Sequence, residues 1–254
     1  MVIASWNVRG CSSEAKRKEM DQYFNEAGFV LVALQETRMA RCTLETTSYV
    51  WFNVNENSVK DRIGGGTAIL IHKSAHRESS FRRISDNSCS YLFRLEDSSP
   101  MLIISSYIRG TETRSNKEFA ILEDYIMKLP NKLQNRIIID GDLNAKLGKK
   151  DKTDEDRQWI GNNILHEESN MNGINLKNML HSLKIKNQVT FSSSKSTNFT
   201  WSNKKSTSQI DHILTSYLDD FAFSEVKAFF HPKIISDHKI LICILKRSKT
   251  FTKE

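Results

Sequence analysis

The sequence predicts an α/β fold built as a single domain. Short runs of β-branched and other apolar residues, typical of buried strands, recur along the chain, and three segments with helical periodicity lie between them. The length of 254 residues allows one large or two small domains. No repeat, low-complexity tract or break in composition divides the chain, so we expect one domain over residues 1–246 and a tail or linker start at 247–254.

Composition narrows the class of protein. Hydrophobic residues make up 39% of the chain, and the mean hydropathy is negative, which is typical of a soluble globular domain with its own core. No apolar run reaches the ~18 residues of a membrane span, and the N-terminus lacks the charged and apolar regions of a signal peptide. The four cysteines form neither a CxxC pair nor a zinc-binding spacing, so we expect reduced thiols in a reducing compartment.

Periodicity predicts the order of the elements. Strands are expected at 2–7, 29–34, 49–54, 67–72, 90–95 and 101–107, from 137 onward, and at 199–201, 209–214 and 239–245. Helices are expected from a cap at Ser12 or Ser13 through Ala27, from a cap at Asn116 to Leu129, and over residues 172–183. The polar segment 148–170 lacks periodicity and is predicted to be a long surface loop. Three glycines at 64–66 indicate either a close backbone approach or a flexible loop.

The most informative stretch begins at Ile137. Three isoleucines predict a buried strand, and Asp140-Gly141 is a turn signal at its end. Asp142 and Asn144 then follow the strand, where groups of α/β proteins tend to line the ligand crevice. The alternative is an ordinary Asp-Gly turn that closes a strand.

The net charge of +7 favours polyanionic partners, nucleic acid first. Basic residues cluster at two places, directly after the Ile137 stretch and in the loop at 202–208. These residues are Lys146, Lys149, Lys150, Lys152, Lys204 and Lys205. Phosphate-binding sites need such positive fields, although solvated loops would give the same pattern.

Polar side chains collect where predicted strands end. They are Asn7, Glu36, Tyr107, Asp142, Asn144, Asp211, Asp237 and His238. Carboxylates and an amide are hard oxygen ligands that suit Mg²⁺, whereas a hydroxyl and a histidine suit proton transfer or contact with an oxyanion. A solvated strand end for Glu36 and a structural role for His238 are the alternatives.

Taken in order, these segments resemble the endonuclease/exonuclease/phosphatase superfamily. The matching motifs are Trp6-Asn7-Val8-Arg9-Gly10, Leu34-Gln35-Glu36-Thr37, Ser106-Tyr107, Gly141-Asp142-Leu143-Asn144, Thr200-Trp201, Ile210-Asp211-His212 and Ser236-Asp237-His238. The resemblance implies a four-layer α/β sandwich, in which helices flank two central mixed β-sheets. It also implies phosphodiester hydrolysis that depends on a divalent metal, Mg²⁺ with Mn²⁺ as a substitute.

Within the superfamily the chain is most similar to the apurinic-endonuclease-like endonuclease domains of non-LTR retrotransposons, those of the RTE type in particular. The similarity rests on the extension of the Asp142 motif through Gly148, on Asn172-Gly173 with Leu176, and on the short basic loop that leads to Asp211. It implies an enzyme that nicks double-stranded DNA and leaves a 3′-hydroxyl for target-primed reverse transcription. A reverse transcriptase would follow in the full-length protein, which would act in the nucleus after synthesis in the cytoplasm.

The resemblance also implies a role for each residue. Glu36 would be the main metal ligand, with Asn7 near it and Asp211 as a further or water-mediated ligand. Asp142 would orient or deprotonate the attacking water, His238 would contact the scissile phosphate, and Tyr107 and Asn144 would donate to its oxygens. Asp237 belongs to the Ser236-Asp237-His238 motif that the family shares, but it need not be the carboxylate that orients the histidine. Contacts with DNA are expected from Arg109, Asn203, Lys204, Lys205, Ser206 and Thr207.

Two departures from the abasic-site repair relatives stand out. Those relatives carry an acidic residue at the position of Arg9 and a tryptophan near Ser208, so a repair function is disfavoured. Two more functions compete with the nickase, namely a phosphatase of the same superfamily and a degenerate domain that only binds nucleic acid. Asp140 occupies a position that is usually apolar in relatives, and the sequence does not explain its presence there.

Overall fold

The computed structural model describes residues 1–55, 64–77, 80–94, 100–109, 112–216 and 221–247. The strands, in chain order, are β1 Val2–Asn7, β2 Phe29–Gln35, β3 Cys42–Glu45, β4 Tyr49–Val54, β5 Thr67–His72, β6 Phe81–Arg83, β7 Ser88–Phe93, β8 Met101–Tyr107, β9 Ile137–Asp142, β10 Lys186–Asn187, β11 Trp201–Ser202, β12 Thr207–Ser208, β13 Asp211–Thr215, β14 Phe221–Phe229 and β15 Ile240–Arg247. The α-helices are α1 Glu14–Glu26, α2 Glu112–Met127, α3 Asn131–Gln134, α4 Met171–Leu183 and α5 Gln188–Phe191. Short 3₁₀ helices lie at Lys73–Ala75, Glu155–Gln158 and Lys195–Asn198.

Two mixed sheets form the centre of the fold. One has seven strands in the order β14-β15-β1-β2-β5-β4-β3, and the other has six in the order β10-β13-β9-β8-β7-β6. The pairs β1–β2 and β8–β9 are parallel, and the remaining neighbours in both sheets are antiparallel. A buried cluster joins side chains of both sheets, among them Ile3, Ile69, Ile103 and Ile138.

Helices cover the outer faces of the two sheets. Met20 and Phe24 of α1 pack with Trp6 and other residues of the seven-stranded sheet. Phe119 of α2 and Leu176 of α4 belong to a separate cluster on the six-stranded sheet. The expected four-layer sandwich, with two central mixed sheets flanked by helices, is therefore confirmed. None of the described helices is both long and apolar enough to cross a membrane.

Several element boundaries differ from the predicted ones. Asn116 lies inside α2 rather than at its cap, because the helix begins at Glu112, where an acidic first turn complements the helix dipole. The expected strands 199–201 and 209–214 are shorter and shifted. The Thr200 hydroxyl accepts hydrogen bonds from the backbone N–H groups of Ile210 and Asp211, so side-chain bonds replace strand pairing there. Ser13 is the cap of α1, one of the two alternatives.

The segment 148–170 is not merely a surface loop. It contains a 3₁₀ helix, and the side chain of Asp156 within it is 1% exposed. That carboxylate accepts hydrogen bonds from Thr153, Lys177 and His181 and so ties the segment to α4. The predicted tail at 247–254 falls almost wholly outside the described residues, which end at Arg247.

Candidate active site

The polar residues predicted at strand ends converge on one pocket of about 570 Å³. The strands β1, β2, β8 and β9 end beside it, and β13 begins there. Glu36, Tyr107, Asp142, Asn144 and His238 line its wall. Three residues at its rim, Arg9, Glu36 and Asn144, have left-handed backbone with φ of 51°, 49° and 48°. The fold therefore brings together groups that are widely separated in sequence.

Asn7 joins two of the carboxylates. Its amide nitrogen donates to Oδ2 of Asp142 at 2.8 Å and to Oε1 of Glu36 at 3.3 Å. Its Oδ1 accepts from the backbone N–H of Arg9 at 3.1 Å. In this arrangement Asn7 is a hydrogen-bond donor to the carboxylates, and a ligand role would require Oδ1 to turn away from Arg9.

Glu36 is held at the mouth of the pocket. Tyr107 donates its hydroxyl to Oε1 at 2.9 Å, and Arg38 donates to Oε2 at 2.7 Å. Burial disfavours the charge of Glu36, but the hydrogen bonds from Arg38, Tyr107 and Asn7 hold its pKa below the ordinary value. Burial and the charge of Glu36 raise the pKa of Tyr107, which favours the neutral phenol that donates this hydrogen bond.

The glycines at 64–66 support the Glu36 loop from behind. The backbone N–H of Thr37 donates to the carbonyl of Gly66, and that of Arg38 donates to Gly65. Gly65 and Gly66 have φ of 72° and 86°, which favours glycine at both positions. A Cβ on Gly65 would overlap the guanidinium of Arg109. Of the two alternatives, the close backbone approach is therefore the one observed.

His238 is oriented by a carboxylate from another strand. Its Nδ1 lies 3.0 Å from both oxygens of Asp211, which begins β13. The Thr200 hydroxyl donates to Oδ2 of Asp211 at 2.6 Å and fixes the carboxylate in turn. The pairing places a proton on Nδ1 and leaves Nε2 directed at the pocket, 3.9 Å from Oδ2 of Asp142.

Burial and neighbouring charges strongly shift the pKa values of Asp142 and His238. Burial and the charge of Asp211 raise the pKa of Asp142 to about 7, although His238 acts in the opposite direction. Burial disfavours the charged imidazole of His238, but Asp211, followed by Asp142 and Asp237, outweighs it and raises the pKa to about 9. With these pKa values, Asp142 can accept a proton and His238 can hold one near neutral pH.

The donor set fits a hard divalent cation. Asp142, Asp211 and His238 have ligand atoms that lie within 4.8 Å of one another. A protonated His238 would leave the two carboxylates of this group as the donors. Glu36 lies across Asn7 from Asp142. The four cysteines are all free thiols, and none of them lines the pocket. Burial and then the charge of Asp211 raise the pKa of Asp142, and a divalent cation beside it would favour the ionised carboxylate. Oxygen-rich sites of this kind suit Mg²⁺ or Mn²⁺.

Asn144 is positioned by the start of α4. Its backbone N–H donates to Oδ1 of Asp142, and its amide donates to the carbonyl of Ile108. Asn170, the cap of α4, donates to the carbonyl of Asn144 at 2.8 Å. Gly173 lies so close to the carbonyl of Lys146 that a Cβ would overlap it. The Asn-Gly-x-x-Leu segment thus holds the loop that presents Asn144.

Asp237 contacts Arg9 rather than orienting the histidine. Its Oδ2 accepts from the guanidinium of Arg9 at 2.6 Å and from the indole N–H of Trp201 at 2.9 Å. Its Oδ1 is 3.9 Å from Nε2 of His238, beyond hydrogen-bonding distance. Arg9, Thr200 and Trp201 are therefore parts of the site to which the sequence pattern gave no role. The sequence pointed to Arg9 only through the Trp6–Gly10 motif and as a departure from the repair relatives, and to Thr200 and Trp201 only through their shared motif.

The expected DNA-contacting residues lie in three places. Asn203 lines the pocket, whereas the side chains of Lys204, Lys205, Ser206 and Thr207 are exposed on the hairpin beyond it. The turn is closed by Oδ1 of Asn203, which accepts from the backbone of Lys205 and Ser206 at 2.8 Å. Arg109 lies outside the pocket and packs on Gly64 and Gly65.

Asp140 is fully buried on β9, and neither of its carboxylate oxygens has a hydrogen-bond partner among the described residues. Burial raises its pKa well above the ordinary value and so favours the neutral acid.

Comparison with solved structures supports the fold. The chain is similar to a 3′ phosphatase, NExo from Neisseria bound to product DNA hairpin, with 13% identity, a TM-score of 0.66 and coverage of 97% of this chain and 99% of that one. It is similar to the AP endonuclease LMAP from Leishmania major, with 15% identity, a TM-score of 0.68 and coverage of 97% and 87%. It is also similar to the endonuclease domain of TRAS1, a telomere-specific non-LTR retrotransposon, with 14% identity, a TM-score of 0.63 and coverage of 97% of both chains.

A search of curated proteins gave no match. The model of the Endonuclease/Exonuclease/phosphatase family matches residues 4–238, a span that contains every residue of the pocket described above. This chain therefore belongs to the Endonuclease/Exonuclease/phosphatase family, whose members are nucleases and phosphatases.

Proposed function

We propose that this protein is an Mg²⁺-dependent DNA endonuclease that nicks one strand of a duplex and leaves a 3′-hydroxyl. The observation that carries the proposal is the convergence of Asp142, Glu36 and the Asp211–His238 pair in one pocket. The net charge of +7 adds a field that favours a polyanionic substrate.

Asp142 is suited to deprotonate the attacking water. Its pKa of about 7 puts it near the value at which a general base is most effective at neutral pH. Asn7 and the backbone of Asn144 hold its two oxygens, so the base is fixed in orientation. Transfer of the water proton to Asp142 would accompany attack on phosphorus and cleavage of its bond to the 3′ oxygen, which would take up a proton from solvent and leave as the hydroxyl.

His238 is suited to bind the scissile phosphate. Asp211 holds Nδ1, so Nε2 faces the pocket, and the raised pKa keeps the ring protonated at neutral pH. Tyr107 offers a hydroxyl and Asn144 an amide on the same wall. When bound, Mg²⁺ would supply charge stabilisation to the phosphate and the leaving oxygen, and Glu36 would be its main ligand.

Two features favour a nickase over an abasic-site enzyme. Arg9 occupies the rim in an ion pair with Asp237, where the repair relatives are expected to carry an acidic residue. Ser208, where those relatives are expected to carry tryptophan, is buried and offers no aromatic ring at that position of the pocket. The motif series around Asp142 and Asn172 and the likeness to the TRAS1 domain support a role in target-primed reverse transcription. We propose accordingly that a reverse transcriptase follows in the full-length protein and that this full-length protein acts on DNA in the nucleus.

Supercoiled plasmid tests the proposal directly. With Mg²⁺ the wild type should convert it to open circle, and excess EDTA should abolish the conversion. Asp142→Ala should reduce the nicking rate on the order of a hundredfold or more, as expected for one preorganised catalytic group, while affinity for duplex DNA stays nearly unchanged. Asp154→Ala, which removes an exposed carboxylate outside the pocket, is the matched control.

Two further substrates distinguish the competing functions. An oligonucleotide with one abasic site should be cut no faster than its intact counterpart, and faster cutting would indicate the repair function. An oligonucleotide that ends in a 3′-phosphate should keep it, and its removal without any nicking would indicate a phosphatase. Undiminished nicking by Asp142→Ala would contradict the catalytic assignment.

A further inference from the structure

Ile235 is the most exposed large hydrophobic side chain in the described part of the chain. It is 92% exposed, whereas the next, Met127, is 55% exposed. Its neighbour Ile234 is 6% exposed and packs into the core beside Trp6, so the fold itself is anchored by Ile234 and not by Ile235. A single exposed apolar residue is ordinary, but this one lies two residues before Asp237 of the pocket.

The loop that carries Ile235 is held rigidly on its N-terminal side. The ring of His231 stacks on Trp6 with centroids 5.5 Å apart and an angle of 11°. Its Nδ1 accepts from the backbone N–H groups of Lys233 at 3.1 Å and Ile234 at 2.7 Å. These contacts fix the chain directly before Ile235.

The loop is held equally well on its C-terminal side. The Ser236 hydroxyl donates to the carbonyl of Asn7 at 2.7 Å and accepts from the backbone N–H of His238 at 3.2 Å. Asp237 is bonded to Arg9 and Trp201. Ile235 therefore projects from a firmly bonded support that is continuous with Asn7 and His238 of the site.

The surroundings of Ile235 favour an anionic partner. Lys233 is exposed on the same loop, and Arg9 at the adjoining rim is 49% exposed despite its ion pair. Ile235 thus lies two residues after an exposed lysine and two residues before the ion-pair partner of Arg9. An apolar side chain in such a cationic neighbourhood matches a nucleic-acid groove, where phosphates border the apolar faces of sugars and bases. A wholly apolar protein partner or a lipid core would leave these cations unmatched.

We infer that Ile235 is a wedge that inserts between two base pairs of the bound duplex from the minor groove, next to the phosphate held in the pocket. This inference rests on the proposed function, because it takes duplex DNA as the substrate. Isoleucine is among the side chains that partly unstack a base step in this way. The contact would help to select where the strand is cut, since base steps differ in the energy needed to unstack them.

The test uses a duplex built around the strongest nick mapped on plasmid, with 2-aminopurine at each step near the nick in turn. In EDTA, wild type should raise the fluorescence at one step, and Ile235→Ala should not. The affinity of Ile235→Ala for this duplex should fall on the order of tenfold, the scale of one lost apolar contact. The rate of cleavage of bound DNA should stay within about threefold of wild type, because no catalytic group is altered.

Two variants serve as controls. Ile235→Leu keeps an apolar side chain of equal volume and should keep the fluorescence rise. Ile244→Ala removes a partly exposed isoleucine whose strand partner is Val2, at the end of β1 opposite Asn7, and should behave as wild type. Unchanged thermal unfolding of Ile235→Ala would show that its effect does not come from loss of fold.

A mismatch at the unstacked step gives an independent readout. It lowers the energy needed to open the step, so wild type should bind the mismatched duplex more tightly than the paired one, and Ile235→Ala should not distinguish them. Equal affinity and equal fluorescence for wild type and Ile235→Ala would overturn the wedge while leaving the nickase intact. Failure of wild type to nick any DNA would instead overturn the proposed function and the wedge together.

Discussion

The Nδ1 atom of His238 lies equidistant, at 3.0 Å, from the two carboxylate oxygens of Asp211. The two residues are 27 positions apart in the sequence. They meet because Asp211 is the first residue of β13 and His238 lies just before β15, at the same place in the fold. Asp237, although adjacent in sequence, is 3.9 Å from the opposite ring nitrogen. Asp211 is thus the carboxylate that determines the tautomer and orientation of the histidine.

Asp211→Asn should therefore impair His238 without removing it. The amide keeps the size of the side chain but loses the charge that raises the pKa of His238, so that pKa should fall. Nicking should slow by about 10- to 100-fold, the range for loss of a partner that orients a functional histidine. Nitrogen-detected NMR titration of the His238 ring gives the pKa and the tautomer directly. A variant with the wild-type pKa and rate would contradict the assignment.

Metal dependence should follow from the hard donors of the pocket. Glu36→Gln keeps the hydrogen bond from Tyr107 but removes the charge of the main expected ligand, so the Mg²⁺ concentration for half-maximal nicking should rise by about tenfold or more. Calorimetric titration with Mg²⁺ measures the same loss without reference to activity. Cys11→Ser, in a buried thiol outside the pocket, is the control and should leave the Mg²⁺ requirement unchanged.

The nicking rate should depend on pH in a bell shape. Asp142 acts as a base when ionised, so the rate should fall as pH drops below its pKa of about 7. His238 binds phosphate when protonated, so the rate should fall again as pH rises above its pKa of about 9. Higher Mg²⁺ should move the acid limb to lower pH, because a cation favours the ionised carboxylate.

Single-turnover rates measured from about pH 5.5 to about pH 10 check this profile. The two groups interact, so each limb reports the pair rather than one residue. An acid limb that does not move with Mg²⁺ would indicate that the titrating group lies away from the metal.

The basic hairpin should contribute to affinity through phosphate contacts. The double variant Lys204→Ala, Lys205→Ala should weaken duplex binding. The slope of the logarithm of the binding constant against the logarithm of salt concentration should decrease by about one or two, which corresponds to one or two fewer released counterions. Lys149 and Lys150 are already paired with Glu167 and Glu168, so their double alanine variant is the matched control and should change the salt dependence less. Filter binding at several salt concentrations measures both.

The same hairpin is expected to take part in target choice. Replacing residues 203–207 by a Gly/Ser loop of equal length should leave the fold intact, since these side chains are exposed. Nick positions mapped on one plasmid should then be redistributed relative to wild type. An unchanged pattern at a similar rate would exclude the hairpin as a determinant of the target.

Asp156 should contribute to stability in a pH-dependent way. Burial disfavours its charge, but bonds from Thr153, His181 and Lys177 outweigh this and hold its pKa well below the ordinary value. Asp156→Asn should therefore lower the free energy of unfolding by about 1–3 kcal/mol at neutral pH. The difference should be complete above about pH 4, the pKa of an unfolded aspartate, and should shrink as pH falls below it.

Urea unfolding of wild type and Asp156→Asn at neutral and acidic pH measures this difference. Asp154→Asn, whose side chain is 87% exposed, is the control and should stay within about 0.5 kcal/mol of wild type. A difference that grew at acidic pH would have the wrong sign for a carboxylate with a lowered pKa.

Central strands were the most predictable part of the fold. The predicted bounds 2–7, 49–54, 67–72 and 101–107 agree with the structure to the residue. These strands are buried on both faces, so they appear as continuous apolar runs closed by turn signals. The strands β3, β6 and β14 were missed, because they lie at sheet edges, where polar residues such as Glu225 and Lys227 interrupt the pattern.

The positions of the site residues were predictable, but their pairings were not. An ordered series of polar groups at strand ends locates Glu36, Asp142 and His238 without any knowledge of distance. The contact of Arg9 with Asp237 joins residues 228 positions apart and depends on how β1 and the loop before β15 meet. Sequence pattern carries no information on such a contact when only one sequence is considered.

The left-handed backbone at Arg9, Glu36 and Asn144 bears on how the chain can change over evolutionary time. Each non-glycine residue in this region is held at a cost of about 1 kcal/mol or more, so a lineage released from selection on activity would gain stability by losing these side chains to glycine. Glycine at any of these three positions would relieve backbone strain and remove a side chain that lines the pocket, so stability and activity make opposite demands there.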